Sequence, residues 1–310
     1  MPRMGYDISE KLVVGVSSRA LFDLEAEDRI YKTDGVDVYR RHQIEHADEV
    51  LRPGVGYPFV KRLISLNRLI DGYAPIEVIL LSRNDPDTGL RVLNSIKHFD
   101  LGIERSAFLG GASRAKYLKP FNVALFLSAN TEDVRAAVAE GHPAGEILPR
   151  GPVDDDENDT AFRLAFDFDG VLADDEAERI FAEDGLGEYE RHEHEMHAQA
   201  MSPGPLHRFL RGISEIQRRE MEQYSDDPEH EPVVRTAVMT SRAAPAHLRA
   251  VKTLRSWGIR VDEALFLGGV KKKEFLEEFR PHIFFDDQLT HLDPSLSGVS
   301  AVHIPYGVRN

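Results

Sequence analysis

The 310-residue chain contains no cysteine, which excludes disulfide bonds and thiolate metal sites. It also lacks an apolar run of the roughly 18 residues needed to span a bilayer. Its first thirty residues contain no apolar stretch flanked like a signal peptide. We therefore expect a cytoplasmic protein that does not act on or in a membrane.

Positive charge is scarce as well, because 53 acidic residues face 38 lysines and arginines, for a net charge of -15. A nucleic-acid polymer needs a basic binding face, so this class of partner is excluded. A small phosphate ester is not excluded, since a metal ion, a lysine and backbone N–H groups can hold a phosphate locally. Whether the chain forms a homo-oligomer is left open.

Two aspartates, Asp167 and Asp169, follow a short apolar run, Leu164-Ala-Phe166, which is typical of the end of a buried strand. Gly170 comes next and favours a turn. Two carboxylates so close together repel each other unless a cation or a shared proton intervenes. A turn can place both acids and a backbone carbonyl around one hard cation, so the stretch indicates a Mg²⁺ site. The alternative is an aspartate-rich surface turn.

Three further segments place polar groups after an apolar run or a glycine turn, where α/β folds hold ligands. These groups are Thr240, Ser241 and Arg242 after Ala237-Val-Met; Lys271, Lys272 and Lys273 after Gly268-Gly-Val; and Asp286 and Asp287 after His282-Ile-Phe-Phe. Lysine at a helix start opposes the helix dipole, and neutralising a phosphoryl group would explain it. Of the three lysines we favour Lys272. Ser241 also suits the cap of the next helix.

The sequence repeats itself weakly. An offset of 150 places Ser17 on Asp167 and Arg19 on Asp169, and the run ended by Ser82-Arg83 resembles the one ended by Ser241-Arg242. An offset of 158 matches Leu90-Arg91 to Leu248-Arg249 and Phe108-Leu-Gly-Gly to Phe266-Leu-Gly-Gly. These matches predict an internal duplication, with two α/β lobes of parallel sheets flanked by helices at 1–150 and 160–310.

The first lobe lacks the carboxylates of the second, since Ser17, Arg19 and Ser128 stand in their places. It cannot hold a hard divalent cation in the same way. Its polar strand ends are candidates for substrate binding or regulation, and ordinary turn and cap chemistry is an equal alternative. The residues concerned are Ser17, Arg19, Ser82, Arg83 and Asn84.

A polar segment, 182–232, separates the aspartate pair from the next strand and is predicted to form a small helical cap over the site. It contains His192, His194 and His197, of which the last two have a spacing that could place both rings on one helix face. Because charged residues alternate with them, a solvated helix is favoured over a metal site.

The stretch Asp167-Phe-Asp-Gly-Val-Leu172 resembles the first motif of the haloacid-dehalogenase-like phosphohydrolases. The resemblance implies Rossmann-like lobes, Asp167 as a nucleophile that becomes aspartyl-phosphate, and Asp169 as general acid and base. It also implies that Thr240 and Lys272 contact the phosphoryl group. Mg²⁺ would be bound by Asp167, Asp169, Asp286 and Asp287, the second through its main-chain carbonyl. Ser241 and Arg242 are further candidates for substrate binding.

Longer strings are similar to the cytosolic type I 5'-nucleotidases, an AMP-preferring family, from about Lys11 to Gly307. The strings lie at Val16–Asp23, Leu81–Arg91, Phe126–Asn130 and Arg280–Gln288. This implies magnesium-dependent hydrolysis of nucleoside 5'-monophosphates, with AMP preferred. The Asp-Phe-Asp-Gly form departs from the animal members and leaves their substrate ranking open. The alternatives are a phosphatase for another small phosphate ester and a non-catalytic nucleotide-binding sensor.

Overall fold

The computed structural model describes residues 6–149, 155–156, 158–292 and 298–308. The chain divides into two compact units, and the division falls between His142 and Pro143. In the described ranges no helix combines the length and the apolar character needed to cross a membrane.

The first unit alternates strands with helices. Its strands are β1 (Leu12–Val16), β2 (Ile76–Ser82), β3 (Arg105–Phe108) and β4 (Val123–Ser128). Its helices are α1 (Ser18–Leu21), α2 (Glu25–Asp34), α3 (Val36–Glu45), α4 (Tyr57–Ser65), α5 (Leu90–His98), α6 (Ala115–Leu118) and α7 (Thr131–Ala139), with a 3₁₀ turn at Leu66–Arg68. The strands pair in parallel in the order β3-β2-β1-β4. Every residue of β1, β2 and β4 is buried, as expected for parallel strands covered on both faces.

The second unit follows the same alternation after a short first strand. Its strands are β5 (Ala144–Ile147), β6 (Phe162–Phe166), β7 (Val234–Thr240), β8 (Glu263–Phe266), β9 (Ile283–Asp286) and β10 (Ser300–His303). Its helices are α8 (Glu176–Asp184), α9 (Leu186–Glu195), α10 (His207–Gln223), α11 (His247–Ser256) and α12 (Lys273–Phe279), with a 3₁₀ turn at Leu289–His291.

The sheet of the second unit determines where its polar groups meet. Its order is β5-β10-β9-β6-β7-β8, and the pairs are parallel except for β5 with β10. Phe166 at the end of β6 is in register with Val238 of β7 and Phe285 of β9. The carboxyl ends of these three strands therefore lie side by side.

Aromatic side chains pack against one another at the ends of β6 and β9. The rings of Phe166 and Phe285 stack with centroids 5.1 Å apart. Phe209 on α10 contacts both, with centroids 6.3 Å and 6.0 Å away. Phe209, Ile213 and Ile216 are all fully buried on one face of α10, in keeping with their helical spacing. Such a close-packed support limits movement of the strand ends.

The predicted fold class is confirmed, because each unit has a largely parallel sheet with helices packed against it, such as α4 on β2 and α10 on β7. The internal duplication stays an inference. Both units do share one local detail, since Pro53 bridges to Phe22 and Pro203 bridges to Ala173. The cap also stays a prediction. Its segment forms α9, α10 and the end of α8, and helices α2 to α4 stand at the corresponding place between β1 and β2.

Candidate active site

Three predicted site residues lie at adjacent strand ends of the second unit. Asp167 directly follows β6, Thr240 ends β7 and Asp286 ends β9. The Asp167 backbone N–H donates to the carbonyl of Phe285 at 2.8 Å, which ties the residue to β9. All three side chains are buried. Thr240 Oγ1 accepts a hydrogen bond from the Arg242 backbone N–H at 3.1 Å, so its own hydroxyl proton is available to another acceptor.

Lys272 lies between two of the carboxylates. Its Nζ is 3.0 Å from Asp167 Oδ2 and 2.6 Å from Asp286 Oδ2, and the residue is only 4% exposed. Lys271 is exposed, and Lys273 lies 3.9 Å from Glu277 on the same helix. Of the three consecutive lysines, the structure brings Lys272 to the acids. Lys272 stands immediately before α12, where the helix dipole disfavours a positive charge. The two neighbouring carboxylates outweigh that effect, so the cation is stable there.

Asp287 has no such partner. It is fully buried, and neither carboxylate oxygen accepts a hydrogen bond from a described N–H or O–H donor. Burial, together with the neighbouring charges of Asp167 and Glu178, raises the pKa of Asp287 to about 10. Its carboxylate lies next to Gly170, and a Cβ added to that glycine would lie only 2.7 Å from Asp287 Oδ2. Gly170 also has a φ of +71°. Glycine is therefore required there both by conformation and by space.

The same crowding of acids affects Asp167. Burial raises the pKa of Asp167 to about 7, although Lys272 acts in the opposite direction. Asp286 responds differently, since its carboxylate has three partners: Lys272, the Gln288 N–H at 2.8 Å and His291 Nδ1 at 3.1 Å. Although burial opposes it, Lys272 and His291 lower the pKa of Asp286. The Asp286 carboxylate is thus satisfied, Asp167 shares the charge of Lys272 with it, and Asp287 has no compensating charge of its own.

The cluster fits a hard divalent cation. Oxygen-rich, buried and under-compensated carboxylates are the donor set that Mg²⁺ selects. Asp167, Asp286 and His291 bring ligand atoms within 4.8 Å of one another. Asp287 offers two further oxygens without donors. The carboxylate of Asp169, in contrast, is occupied by Arg242, so its predicted role as a ligand rests on its main-chain carbonyl.

Arg242, a predicted substrate-binding residue, is paired with acids of the second unit. Its guanidinium is buried and forms a bidentate pair with Asp169, at 2.8 Å from Oδ2 and 2.7 Å from Oδ1. Its Nη1 contacts Glu193 Oε2 and donates to the carbonyl of Ala246 at 3.3 Å. The planar fork of arginine suits this double contact. Arg242 therefore orients Asp169 in this structure. Ser241, its neighbour, is exposed.

A buried charge network behind Arg242 is absent from the sequence-based prediction. Glu193 is fully buried and joins Arg242 to Arg249, whose Nη1 lies 2.7 Å from Glu193 Oε1. Arg249 also contacts Glu176 at 3.0 Å. The prediction of a solvated helix is wrong for Glu193. The repeated Leu-Arg pair, Leu90-Arg91 and Leu248-Arg249, was a signal that Arg249 has a partner, but it does not identify that partner.

The histidines of this segment do not assemble a metal site in the described ranges. His192 Nε2 lies 3.2 Å from Arg249 Nη1 and belongs to the edge of the network. His194 is exposed, and His197 Nδ1 lies 2.7 Å from the carbonyl of His194. His291 next to Asp286 is the histidine that reaches the carboxylate cluster, and no sequence motif distinguished it.

The polar candidates of the first lobe come together within the first unit. Ser17, Arg19, Arg83 and Asn84 line one cavity there. Ser82 is buried beside it, with its Oγ 3.3 Å from Ser18 Oγ.

The parallel sheets flanked by helices, with a lysine held between strand-end aspartates, fit an α/β fold of the haloacid-dehalogenase-like type. The comparisons narrow this class. The family model described as 5'-nucleotidase matches residues 4–310. The chain therefore belongs to the 5'-nucleotidase family.

Within this family the chain is 34% identical over 288 residues to human cytosolic 5'-nucleotidase 1B, in support of the cytosolic type I group. The match covers 91% of this chain and 47% of the human protein, so the chain spans about half the length of that relative. Among solved structures, histidinol dehydrogenase from Elizabethkingia anophelis matches at 10% identity and a TM-score of 0.23, over 94% of this chain and 52% of that one. A likeness of that size carries no structural argument.

Proposed function

We propose that the chain is a Mg²⁺-dependent 5'-nucleotidase that releases phosphate from nucleoside 5'-monophosphates, with its chemistry in the lobe at 160–310. The proposal rests on the buried cluster in which Lys272 lies between Asp167 and Asp286, while Asp287 has no described hydrogen-bond donor. Such a site holds a cation and a phosphoryl group together. The similarity to a human cytosolic 5'-nucleotidase supports both the substrate class and a cytoplasmic location.

Asp167 is the proposed nucleophile. One of its oxygens attacks phosphorus in line, the bond from phosphorus to the ester oxygen breaks, and aspartyl-phosphate forms. Burial beside Lys272 keeps the carboxylate dry and positioned, which strengthens its interaction with the phosphoryl group. Its oxygen Oδ1 accepts a hydrogen bond from the Phe168 N–H at 2.7 Å, which orients the carboxylate and leaves Oδ2 on the side of Lys272.

Asp169 is the proposed general acid and base. It gives a proton to the departing ribose oxygen and then takes one from the water that hydrolyses aspartyl-phosphate. In the structure its carboxylate is held by Arg242. We therefore assign Arg242 as a positioning residue that fixes Asp169, instead of the substrate contact predicted from the sequence.

Thr240 and Lys272 complete the phosphoryl site. The Thr240 hydroxyl can donate to a phosphoryl oxygen, and Lys272 neutralises charge that passes from Asp167 to the transferring group. Asp167, Asp286, Asp287 and the carbonyl of Asp169 would hold the cation. When bound, Mg²⁺ removes the repulsion between an anionic nucleophile and an anionic ester. AMP is the substrate we expect to be preferred, on the resemblance to the type I group.

The test is a panel assay of phosphate release from AMP, IMP, GMP, CMP, UMP, their deoxy forms and sugar phosphates, with Mg²⁺ or with EDTA. We expect nucleotides to be hydrolysed faster than sugar phosphates, and only with Mg²⁺. Asp167→Asn should lower turnover at least about 10³-fold, while Asp226→Asn, on an exposed acid of the same unit, should not. Equal rates on sugar phosphates would refute the nucleotidase assignment. Full turnover by Asp167→Asn would refute the covalent mechanism.

A further inference from the structure

The first unit contains a cavity of about 410 Å³ at the carboxyl ends of its strands. Ser17 follows β1, Arg83 follows β2 and Ser128 ends β4, and all three line it. Ligands of α/β units bind at this edge of the sheet. The volume lies within the range of about 300–1,000 Å³ that is usual for small-molecule sites.

The lining has four arginines and five carboxylates, and two of the arginines converge on one of these carboxylates. Arg83 and Arg114 share one carboxylate, that of Asp133, with Arg83 Nη2 at 2.5 Å from Oδ1 and Arg114 Nη1 in contact with Oδ2. Arg83 Nε is buried and has no hydrogen-bond partner among the described residues. Burial lowers the pKa of Arg114 to about 10, so the group is still a cation at neutral pH. The exposed carboxylate of Glu132 also lies 3.7 Å from Arg83 Nη1. Two guanidinium groups that share a single buried acid leave a place for a second anion.

The other acids of the lining are paired with cations other than Arg83 and Arg114, or are exposed. Asp28 is 3.0 Å from Arg19, Asp85 is 3.1 Å from Arg40, and Glu27 is 2.7 Å from Arg91, while Asp37 is exposed. Each buried or half-buried acid of the wall is therefore matched by its own cation.

Similar positions of the second unit carry different chemical groups. Arg114 stands immediately before α6 as Lys272 stands immediately before α12. Ser17 and Ser128 occupy the strand-end places of Asp167 and Asp286. Hydroxyls in place of carboxylates remove both the ligands for a divalent cation and the repulsion that a cation must relieve. An anion can then be bound by the arginines directly.

The wall of the cavity also offers aromatic surface. The rings of Tyr31 and Tyr39 meet edge to face with centroids 5.7 Å apart, and the Tyr39 hydroxyl donates to Asn84 Oδ1 at 2.8 Å. Tyr31 is 53% exposed. In such a cavity the arginines can bind a phosphate while the tyrosines contact the organic group attached to it.

We propose that this cavity binds a small organic phosphate monoester without a metal ion, through Arg83 and Arg114, and leaves it unhydrolysed. No carboxylate nucleophile stands at Ser17, so no bond to phosphorus is made there. The site is separate from the proposed active site and does not depend on its chemistry.

The test is calorimetric titration of the full chain in EDTA with AMP, ribose 5-phosphate and inorganic phosphate. We expect saturable binding of AMP, weakened at least about tenfold by Arg83→Ala. Asn130→Asp should also weaken binding, because it adds a negative charge to the lining while keeping the helix cap, in which the side-chain oxygen accepts from the Asp133 N–H at 3.1 Å. Arg52→Ala, on an exposed arginine outside the lining, is the control and should bind as the parent does.

Circular dichroism of each variant checks that it is folded before titration. Absence of binding in the parent, or unchanged affinity in both Arg83→Ala and Asn130→Asp, would overturn the proposal. If inorganic phosphate binds as tightly as both esters, the claim that an organic group is recognised is wrong. Tighter binding of AMP than of ribose 5-phosphate would place a ring against the tyrosines, and equal binding of the two esters would restrict recognition to the sugar phosphate.

Discussion

Replacing Asp287 by asparagine should stabilise the chain when no divalent cation is present. The carboxylate is fully buried and has no described donor. Burial raises its pKa from 3.8 to about 10. Between about pH 4 and pH 10 the folded chain holds a proton that the unfolded chain has released, so stability falls as the pH rises through this window.

The size of the effect follows from the same shift. At pH 7 the unfolded carboxyl is ionised and the folded one is still protonated, which costs the folded state on the order of 4 kcal/mol. Asparagine is neutral at every pH, and its amide can donate to the carboxylates of Asp167 and Glu178 that surround the position. We therefore expect Asp287→Asn in EDTA to gain up to about 4 kcal/mol in unfolding free energy at pH 7.

The assay is urea unfolding at pH 6, 7 and 8, with EDTA or with Mg²⁺. The parent should lose stability with rising pH in EDTA and recover it with Mg²⁺, because the cation binds only the folded state. Asp287→Asn should have a shallower pH dependence, which comes from Asp167 with its pKa of about 7, and should gain less from Mg²⁺. The exposed Asp226→Asn should behave like the parent. A variant less stable than the parent in EDTA at pH 8, or stabilised equally by Mg²⁺, would refute the reasoning.

Three further predictions concern the neighbouring groups. Burial raises the pKa of Asp167 to about 7 and that of Asp287 to about 10, so protons should compete with Mg²⁺ at both ligands. The dissociation constant measured by titration should rise about tenfold per pH unit as the pH falls towards 7, and more steeply below pH 7. An affinity equal at pH 6 and pH 8 would contradict this. Arg242→Lys breaks the bidentate pair with Asp169 and should lower kcat about 10- to 100-fold with little change in KM. Glu193→Gln should also lower kcat with little change in KM. If Arg242→Lys raised KM and left kcat unchanged, Arg242 would be a substrate-binding residue and not a positioning residue.

Local sequence was enough to predict the α/β class and the strand ends that carry polar groups. A short apolar run predicts a buried strand, and the next polar residue must then lie at the edge of the sheet. For that reason the sequence alone predicts that Asp167, Thr240 and Asp286 lie at the same edge of the sheet. The choice of Lys272 among three lysines rested on its position after the glycine turn, and the structure brings this residue to the acids.

The partners of the charged groups were decided by the tertiary structure. Arg242 and Asp169 are 73 residues apart, and Arg242 and Glu193 are 49 apart, so no local spacing relates them. A guanidinium group looks the same in sequence whether it meets a substrate or a buried carboxylate. Asp287 presents the same difficulty, because its burial against Gly170, beside other acids and without a described donor, arises only when the sheet packs. Sequence determines which groups stand at strand ends, and folding determines which of them are neutralised by a neighbour and which remain for a cation or a phosphate.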